Sequence, residues 1–224
     1  MERFRSDTIE RLASEAELRA LRAPINPHVL FNALNALYGV IPRSADGVRR
    51  TVLNLAEDYR GLPVFDEWDI SAKFEMLYGE GRLDDVAAER WATLTRLTDQ
   101  LHAADLIVLS TPMWNFSIPW HLKRWLDCVV QGRLTFEYVD GKFTGLLAGR
   151  QLVILTTRDG AYPANTPAAA MDFEMPYLRQ IFGFMGLAPI HEVIAEPMMA
   201  MGPDVGRQAL AEAVERSRIL AQSL

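Results

Sequence analysis

Two segments of the chain carry residues suited to hold a planar ligand. Residues 111–119 (TPMWNFSIP) contain an aromatic pair, an asparagine and two prolines that stiffen the backbone. Residues 157–162 (TRDGAY) contain a glycine, which permits close approach of backbone to a ligand, and an arginine as a cation. Each segment follows a short run of branched apolar residues. If those runs are parallel strands, both segments lie where such sheets bind ligands; otherwise they are ordinary connecting loops.

The elements that would position these loops alternate between helix and strand after residue 80. Hydrophobic spacing predicts amphipathic helices over residues 86–103, 118–130 and 177–185, with a last helix beginning at Pro203. Strands buried on both faces are predicted over residues 105–111, 151–157 and 190–195. Residues 134–147 alternate on both sides of Asp140 and Gly141, which predicts a hairpin. The pattern is typical of a parallel α/β sheet with helices on both faces.

The first 60 residues have a different character. Apolar residues fall at helical spacing in two sets, and Pro24 and Pro27 would break the helix between them. A further helix is predicted with Val48, Val52, Ala56 and Tyr59 on one face, and no strand is expected before residue 60. The sequence therefore predicts two parts, a helical segment over residues 1–60 and an α/β domain over residues 61–224.

Composition narrows the classes of function. The chain has 224 residues, half of them hydrophobic, and a net charge of −6, which argues against nucleic-acid and membrane-surface binding because both favour a basic face. No apolar run approaches the roughly 20 residues needed to span a bilayer. The single cysteine, Cys128, excludes an intrachain disulfide and indicates a reducing, cytoplasmic location.

Several motifs of the second part, taken in order, resemble one family. The segment STPMWNFSIPWHLKRWLD, residues 110–127, is similar to the flavin-binding segment of the FMN-dependent NADH:quinone oxidoreductases, the azoreductase family with a flavodoxin-like fold. The hairpin T-F-x-Y with G-L-L, the loop T-x-R-x-G and the helix over residues 168–186 also match that family. The resemblance covers about residues 62–224, and Asp159 stands where the family has glycine.

The resemblance implies a flavodoxin-like parallel sheet and a set of cofactor contacts. In the family, backbone atoms of the first loop hold the isoalloxazine ring and the second loop closes its pyrimidine side. The residues that take these roles by resemblance are Pro112, Met113, Trp114, Asn115 and Phe116 in the first loop, and Thr157, Arg158, Asp159 and Gly160 in the second.

The function implied by this resemblance is two-electron reduction of quinones or azo compounds. NADH or NADPH would donate a hydride to FMN, and the acceptor would then take the electrons at the same face. No catalytic side chain and no metal ligand is assigned. The family's members are dimers with sites between subunits, so a homodimer is also implied.

Residues 21–60 resemble a different family, the dimerisation and phosphoacceptor segment of the LytS-type sensor histidine kinases. His28 would be the phosphoacceptor, although Pro24 and Val29 depart from that pattern. Nothing after residue 60 resembles an ATP-binding domain, so the alternative for His28 is a surface or interface histidine. The alternative for the whole chain is a non-catalytic interaction module related to sensor kinases.

This segment stands where the flavin reductases have their first strand and phosphate-binding loop. Without that strand, residues 105–111 would form an edge strand, to be covered by the N-terminal helices or by a partner subunit. Without the loop, binding of FMN would be impaired, because its phosphate would lose backbone donors at a helix N-terminus.

Other candidate groups carry weaker signals. Cys128 falls on the buried side of a predicted helix, which favours a core position over a nucleophile. His102, His121 and His191 lack the spacing of metal ligands. The carboxylates show no pair suited to acid–base work; those considered are Asp84, Asp85, Glu174 and Glu192.

Overall fold

The computed structural model describes residues 50–53 and 62–224, and these form one parallel sheet with helices and a small hairpin. The sheet consists of β1 (Arg50–Leu53), β2 (Leu106–Pro112), β5 (Gln151–Thr157) and β6 (Ile190–Ala195), in the order β1-β2-β5-β6. All three pairings are parallel. The predicted parallel α/β architecture is therefore confirmed.

Five α-helices connect or flank these strands in the described residues. They are α1 (Glu67–Tyr78), α2 (Asp85–His102), α3 (Trp120–Val129), α4 (Met175–Phe184) and α5 (Pro203–Ala221). The hairpin consists of β3 (Phe136–Val139) and β4 (Lys142–Gly145), and its turn has positive φ at Asp140 and Gly141, 52° and 78°. Two consecutive positive φ values define the type I′ turn that the Asp-Gly pair favours, so the predicted hairpin is confirmed.

The two central strands are buried on both faces, because successive side chains point to opposite sides of the sheet. On one side Ile107 and Ile154 join a core with residues of α2, α3 and α4. On the other side Val108 and Val153 pack with residues of α5. A strand with apolar residues at every position is stable only in such a double-sided setting, which is why the apolar runs predicted β2, β5 and β6 well.

The strand β1 corrects the sequence-based prediction for this region. Residues 50–53 were expected to be helical, and the sheet was expected to begin with β2 at its edge; instead Arg50–Leu53 pairs with Leu106–Leu109 in parallel. A short apolar run fits either period, and the choice is made by context. Here the unpaired backbone groups along β2 supply partners that a helix would leave unsatisfied.

Helix α1 was not anticipated from the sequence. It begins with a capping box, in which the Asp66 carboxylate accepts from the backbone of the first turn and the Asp69 carboxylate accepts from the Asp66 amide at 2.9 Å. Arg90 of α2 donates to Asp69 at 2.5 Å and fastens α1 to its neighbour. The predicted helices of the first 49 residues, and His28 with them, lie outside the described residues.

Candidate functional site

The two loops singled out in the sequence lie side by side at the carboxyl edge of the sheet. Strands β2 and β5 are neighbours, and their last residues, Pro112 and Thr157, are register partners. The Met113 amide donates to the Thr157 carbonyl at 3.0 Å and extends the pairing into the loops. Residues 113–119, the β2 loop, and residues 158–162, the β5 loop, therefore form the two banks of one crevice.

The β2 loop is built around a tight turn. Trp114 and Ser117 exchange two backbone hydrogen bonds, at 2.8 and 2.9 Å. Between them Asn115 and Phe116 both have positive φ, 49° and 67°, the pattern of a type I′ turn. Asparagine tolerates this conformation, but phenylalanine adopts it at a cost of about 1 kcal/mol or more. Strain of this kind persists where the surrounding structure enforces it, and ligand sites are a common place for it.

The crevice offers several hydrogen-bond donors that no described protein group uses. Within residues 50–53 and 62–224, no acceptor is found for the backbone N–H groups of Asn115, Phe116, Asp159, Gly160 and Ala161. Buried or half-buried amides are rarely left without partners. A flat ligand with carbonyl and ring-nitrogen acceptors along one edge would suit this set.

The end of β5 adds a buried hydroxyl to the same edge. Thr157 is fully buried, and its Oγ1 has no hydrogen-bond partner, whereas Oγ1 of the neighbouring Thr156 lies 3.0 Å from each carboxylate oxygen of Glu174. The two threonines point to opposite sides of the sheet. The unpaired Thr157 hydroxyl is a second sign that this edge is built to receive a polar ligand.

The side chain of Arg158 does not present its charge to a ligand, which corrects the sequence-based view of it as an available cation. It is 1% exposed, and its Nε donates to Glu174 at 2.9 Å. Its terminal nitrogens lie 3.1 Å from Asp172 and 3.3 Å from Glu196. We call these four residues the Arg158 cluster; it joins the start of the β5 loop to the segment before α4 and to the end of β6.

The β5 loop is fastened along its backbone as well. The Arg158 amide donates to the Ala195 carbonyl at 3.0 Å, and its carbonyl accepts from the Met198 amide at 2.9 Å. Gly160 is less exacting than expected, because a Cβ there would first meet the Tyr162 hydroxyl, at 3.1 Å. The close approach that this glycine permits in the structure is therefore with a side chain of its own loop.

Burial sets the protonation of the Arg158 cluster. Glu174 is fully buried, and burial raises its pKa to about 7, while the Arg158 guanidinium and the Thr156 hydroxyl oppose that rise. The sequence reasoning had found no acid–base partner for Glu174, because its partners Arg158 and Glu196 are separated from it by 16 and 22 residues of chain.

This pKa has a consequence for stability. A carboxyl group with a native pKa near 7 and an ordinary unfolded pKa binds more protons when folded between about pH 4.5 and 7. The contribution of Glu174 to the free energy of unfolding is therefore complete below that window, and it is lost as pH rises through 7. We expect the wild type to lose stability relative to Glu174→Gln over this range, by at most ~1.4 kcal/mol per pH unit. Urea unfolding at pH 5, 6, 7 and 8 measures the difference, and a rising difference would show that the Arg158 charge dominates.

A cleft opens on the outer side of the β2 loop, with a volume of about 500 Å³. We call it the aromatic cleft; its lining residues are Trp114, Asn115, Ser117, Ile118, Trp120, Lys123 and Tyr177. The buried ring of His121 contacts the edges of Trp114 and Trp120, with centroid distances of 5.4 and 5.8 Å. Burial lowers the pKa of His121, which favours its neutral form.

The other candidates from the sequence have structural roles. Cys128 is fully buried, and burial raises its pKa to about 12, so the thiol is unreactive. His102 lies 2.6 Å from the Leu134 carbonyl, and His191 lies 3.2 Å from the Gln151 side chain. Among the described residues no group of His, Cys, Asp and Glu is arranged to hold a metal ion, and no helix is long and apolar enough to cross a membrane.

Comparison of the sequence with known proteins identifies several relatives. Residues 38–220 match the family described as having a flavodoxin-like fold. An FMN-dependent NADH:quinone oxidoreductase of Nitratidesulfovibrio vulgaris is 42% identical over 161 residues, covering 71% of this chain and 76% of the relative. An FMN-dependent NADH:quinone oxidoreductase 3 of Pseudomonas aeruginosa is 40% identical over 157 residues, covering 70% of each.

Comparison of the structure gives the same grouping. The FMN-dependent NADH-azoreductase of Bacillus anthracis, solved in complex with FMN, superposes with a TM-score of 0.66 and 25% identity, covering 85% of this chain and 89% of that one. The flavodoxin-like fold expected from the motifs is thereby confirmed. The match to the family begins at residue 38 and β1 at residue 50, both before the predicted domain boundary at residue 61, which remains a prediction.

Proposed function

Since the chain belongs to the flavodoxin-fold family of FMN-dependent NADH:quinone oxidoreductases, we propose that it reduces quinones or azo compounds with FMN as its cofactor and NADH or NADPH as donor. The observation that carries the proposal is the crevice between the β2 and β5 loops. Its unpaired amides and the buried Thr157 hydroxyl fit the acceptor-rich edge of an isoalloxazine ring.

When bound, FMN supplies the hydride chemistry, and the protein contributes binding, orientation and electrostatics. The residues that would hold it are Pro112, Met113, Trp114, Asn115 and Phe116 on one bank and Thr157, Arg158, Asp159 and Gly160 on the other. Their backbone groups would make the polar contacts with the ring. Trp114 and Phe116, which are 37% and 45% exposed, would shield it from water.

The Arg158 cluster contributes by holding the β5 loop in place. Because the guanidinium is anchored to Asp172, Glu174 and Glu196, the amides of the loop are fixed before a ligand arrives. Donors that are already oriented bind without paying for ordering of the loop. We therefore assign Arg158 a positioning role through its side chain and a contact role through its backbone.

A visible spectrum of the purified chain after incubation with FMN tests the proposal. We expect absorbance in the blue that stays with the protein on gel filtration and is bleached by NADH, with colour restored by a quinone. A colourless protein that neither retains FMN nor consumes NADH would contradict the proposal. That result would favour the alternative, a non-catalytic interaction module, whose basis is the kinase-like N-terminal segment.

Replacing Trp114 by alanine should weaken FMN binding without unfolding the chain. Losing one aromatic contact costs on the order of 1 kcal/mol, or roughly fivefold in dissociation constant. The variant should also reduce quinones more slowly at limiting FMN. A flavin fluorescence titration measures the affinity. Trp68→Ala is the matched control, because Trp68 is an exposed tryptophan of α1 with 51% of its surface accessible. Equal affinity of the two variants would remove Trp114 from the site.

Three finer assignments belong to the proposal. A homodimer follows from the family resemblance, and a cytoplasmic location from the single cysteine. The likeness of residues 21–60 to a kinase phosphoacceptor segment stays a prediction, since His28 lies outside the described residues. The strand β1 and the start of the flavodoxin-like match both fall inside that segment, which favours a reductase origin for its second half.

A further inference from the structure

The aromatic cleft has two rigid walls. Trp114 and Trp120 meet the ring of His121 edge-on, with interplanar angles of 83° and 87°. His121 is itself only 4% exposed, so one buried ring fixes both indoles. Tyr177 of α4 completes the lining. Indole and phenol faces held apart in this way favour a flat aromatic guest, because stacking needs little reorganisation of the walls.

One of the seven residues that line the cleft carries a charge. Lys123 lies on α3, and its Nζ is 2.5 Å from Oδ1 of Asp127, one turn further along the helix. The two side chains are 50% and 42% exposed, so the ammonium group remains accessible from the cleft. An exposed pair of this kind is weak, which means that an anionic ligand can compete with Asp127 for the ammonium.

The size of the cleft limits the guest. A volume of about 500 Å³ lies within the range of small-molecule sites and accommodates two fused aromatic rings with substituents. Asn115 and Ser117 add polar groups at the side nearest the β2 turn. Since Trp114 and Asn115 belong both to this cleft and to the proposed flavin-binding loop, a molecule in the cleft would lie next to the flavin ring.

We infer that the aromatic cleft binds the electron acceptor, and that the preferred acceptor is a planar bicyclic compound with an anionic substituent paired to Lys123. The inference rests on the proposed function and adds the charge and shape of the substrate to it. A quinone of this class would take up a hydride, derived from the nicotinamide donor through FMN, and one proton from water, and leave as the hydroquinone.

Binding of two matched probes tests the cleft without any turnover. Naphthalene-2-sulfonate is an anion, and naphthalene-2-sulfonamide has nearly the same shape without the charge. Isothermal titration of the full chain should show tighter binding of the sulfonate. Lys123→Gln should weaken sulfonate binding about tenfold, the value of one charge-assisted hydrogen bond, and sulfonamide binding by less than about twofold.

Three further variants make the result specific. Lys123→Arg should retain the preference for the sulfonate, and Asp127→Asn should strengthen sulfonate binding, because it removes the competing carboxylate. Trp120→Leu should weaken both probes by a similar factor. Lys142→Gln, on the exposed strand β4, is the control and should change neither. Equal affinities of the two probes, or equal losses in Lys123→Gln and Lys142→Gln, would overturn the inference.

Steady-state kinetics separate this inference from the proposed function. The wild type is assayed with 1,2-naphthoquinone and with its 4-sulfonate, and Lys123→Gln should raise KM about tenfold for the sulfonate alone. If neither quinone is reduced, the proposed function fails. If both are reduced and the Lys123 variant treats them alike, the acceptor inference is wrong while the function stands.

Discussion

Replacing Arg158 by methionine is expected to lower the free energy of unfolding by about 3–5 kcal/mol, because it leaves buried carboxylates without their cation. Glu174 is fully buried, and Asp172 and Glu196 have side chains that are 13% and 19% exposed. Their mutual repulsion would no longer be offset. Urea unfolding followed by circular dichroism at pH 8, where Glu174 is ionised, measures the loss.

Arg179→Met is the matched control for this prediction. Arg179 also pairs with a glutamate, Glu192, at 2.5 Å, but its side chain is 53% exposed. An exposed pair contributes at most about 1 kcal/mol, so the control should be close to wild type. Adding Glu174→Gln to Arg158→Met should recover part of the loss, since the two residues are in direct contact. Similar losses in the two single variants would mean that burial of the Arg158 cluster contributes nothing.

The Arg158 variant should affect flavin binding too, through the β5 loop. Without the cluster, the loop loses its anchor to the end of β6 and to the segment before α4, so its amides must be ordered when the ligand binds. Weaker FMN binding with an unchanged maximal rate is the expected signature of such a positioning role.

The strands of the second part were predictable because their environment leaves one solution. β5 and β6 have the bounds expected from their apolar runs, residues 151–157 and 190–195, since a strand buried on both faces needs apolar side chains at every position. The run at residues 50–53 carried no such signal. Its four residues include Arg50 and Thr51, and only pairing with β2, more than 50 residues away, makes it a strand.

The site was predictable in its place but not in its orientation. Topology fixes where strand ends lie, so the β2 and β5 loops could be located from sequence. The inward turn of Arg158 depends on carboxylates that come together only in the fold. The type I′ turn at Asn115 and Phe116 also escaped prediction, because the glycine that usually marks such turns is missing and tertiary contacts impose the conformation.

The presence of β1 sharpens the question of how FMN would be held by its phosphate. In parallel α/β sheets the phosphate group binds at the turn after a strand, where backbone N–H groups and a helix N-terminus face it. The sequence that follows β1 is Asn54-Leu55-Ala56-Glu57-Asp58, with two acidic residues and neither glycine nor serine. Adjacent carboxylates disfavour a phosphate dianion, so the impaired phosphate site expected from the sequence remains the prediction.

We therefore expect FMN to bind at most about tenfold more tightly than riboflavin, and at least about a hundredfold more weakly than to a reductase with an intact phosphate loop. Each lost charge-assisted hydrogen bond to the phosphate costs about 1.5–3 kcal/mol, and 1.4 kcal/mol corresponds to a factor of ten. Fluorescence titration of the apoprotein with both flavins measures the ratio. The cations nearest in sequence are Arg43, Arg49 and Arg50, and Arg49→Gln and Arg50→Gln should leave the ratio unchanged if none of them serves the phosphate. Nanomolar FMN binding with strong discrimination against riboflavin would show that the chain forms a phosphate site by other means, and a loss of that discrimination in one arginine variant would locate it.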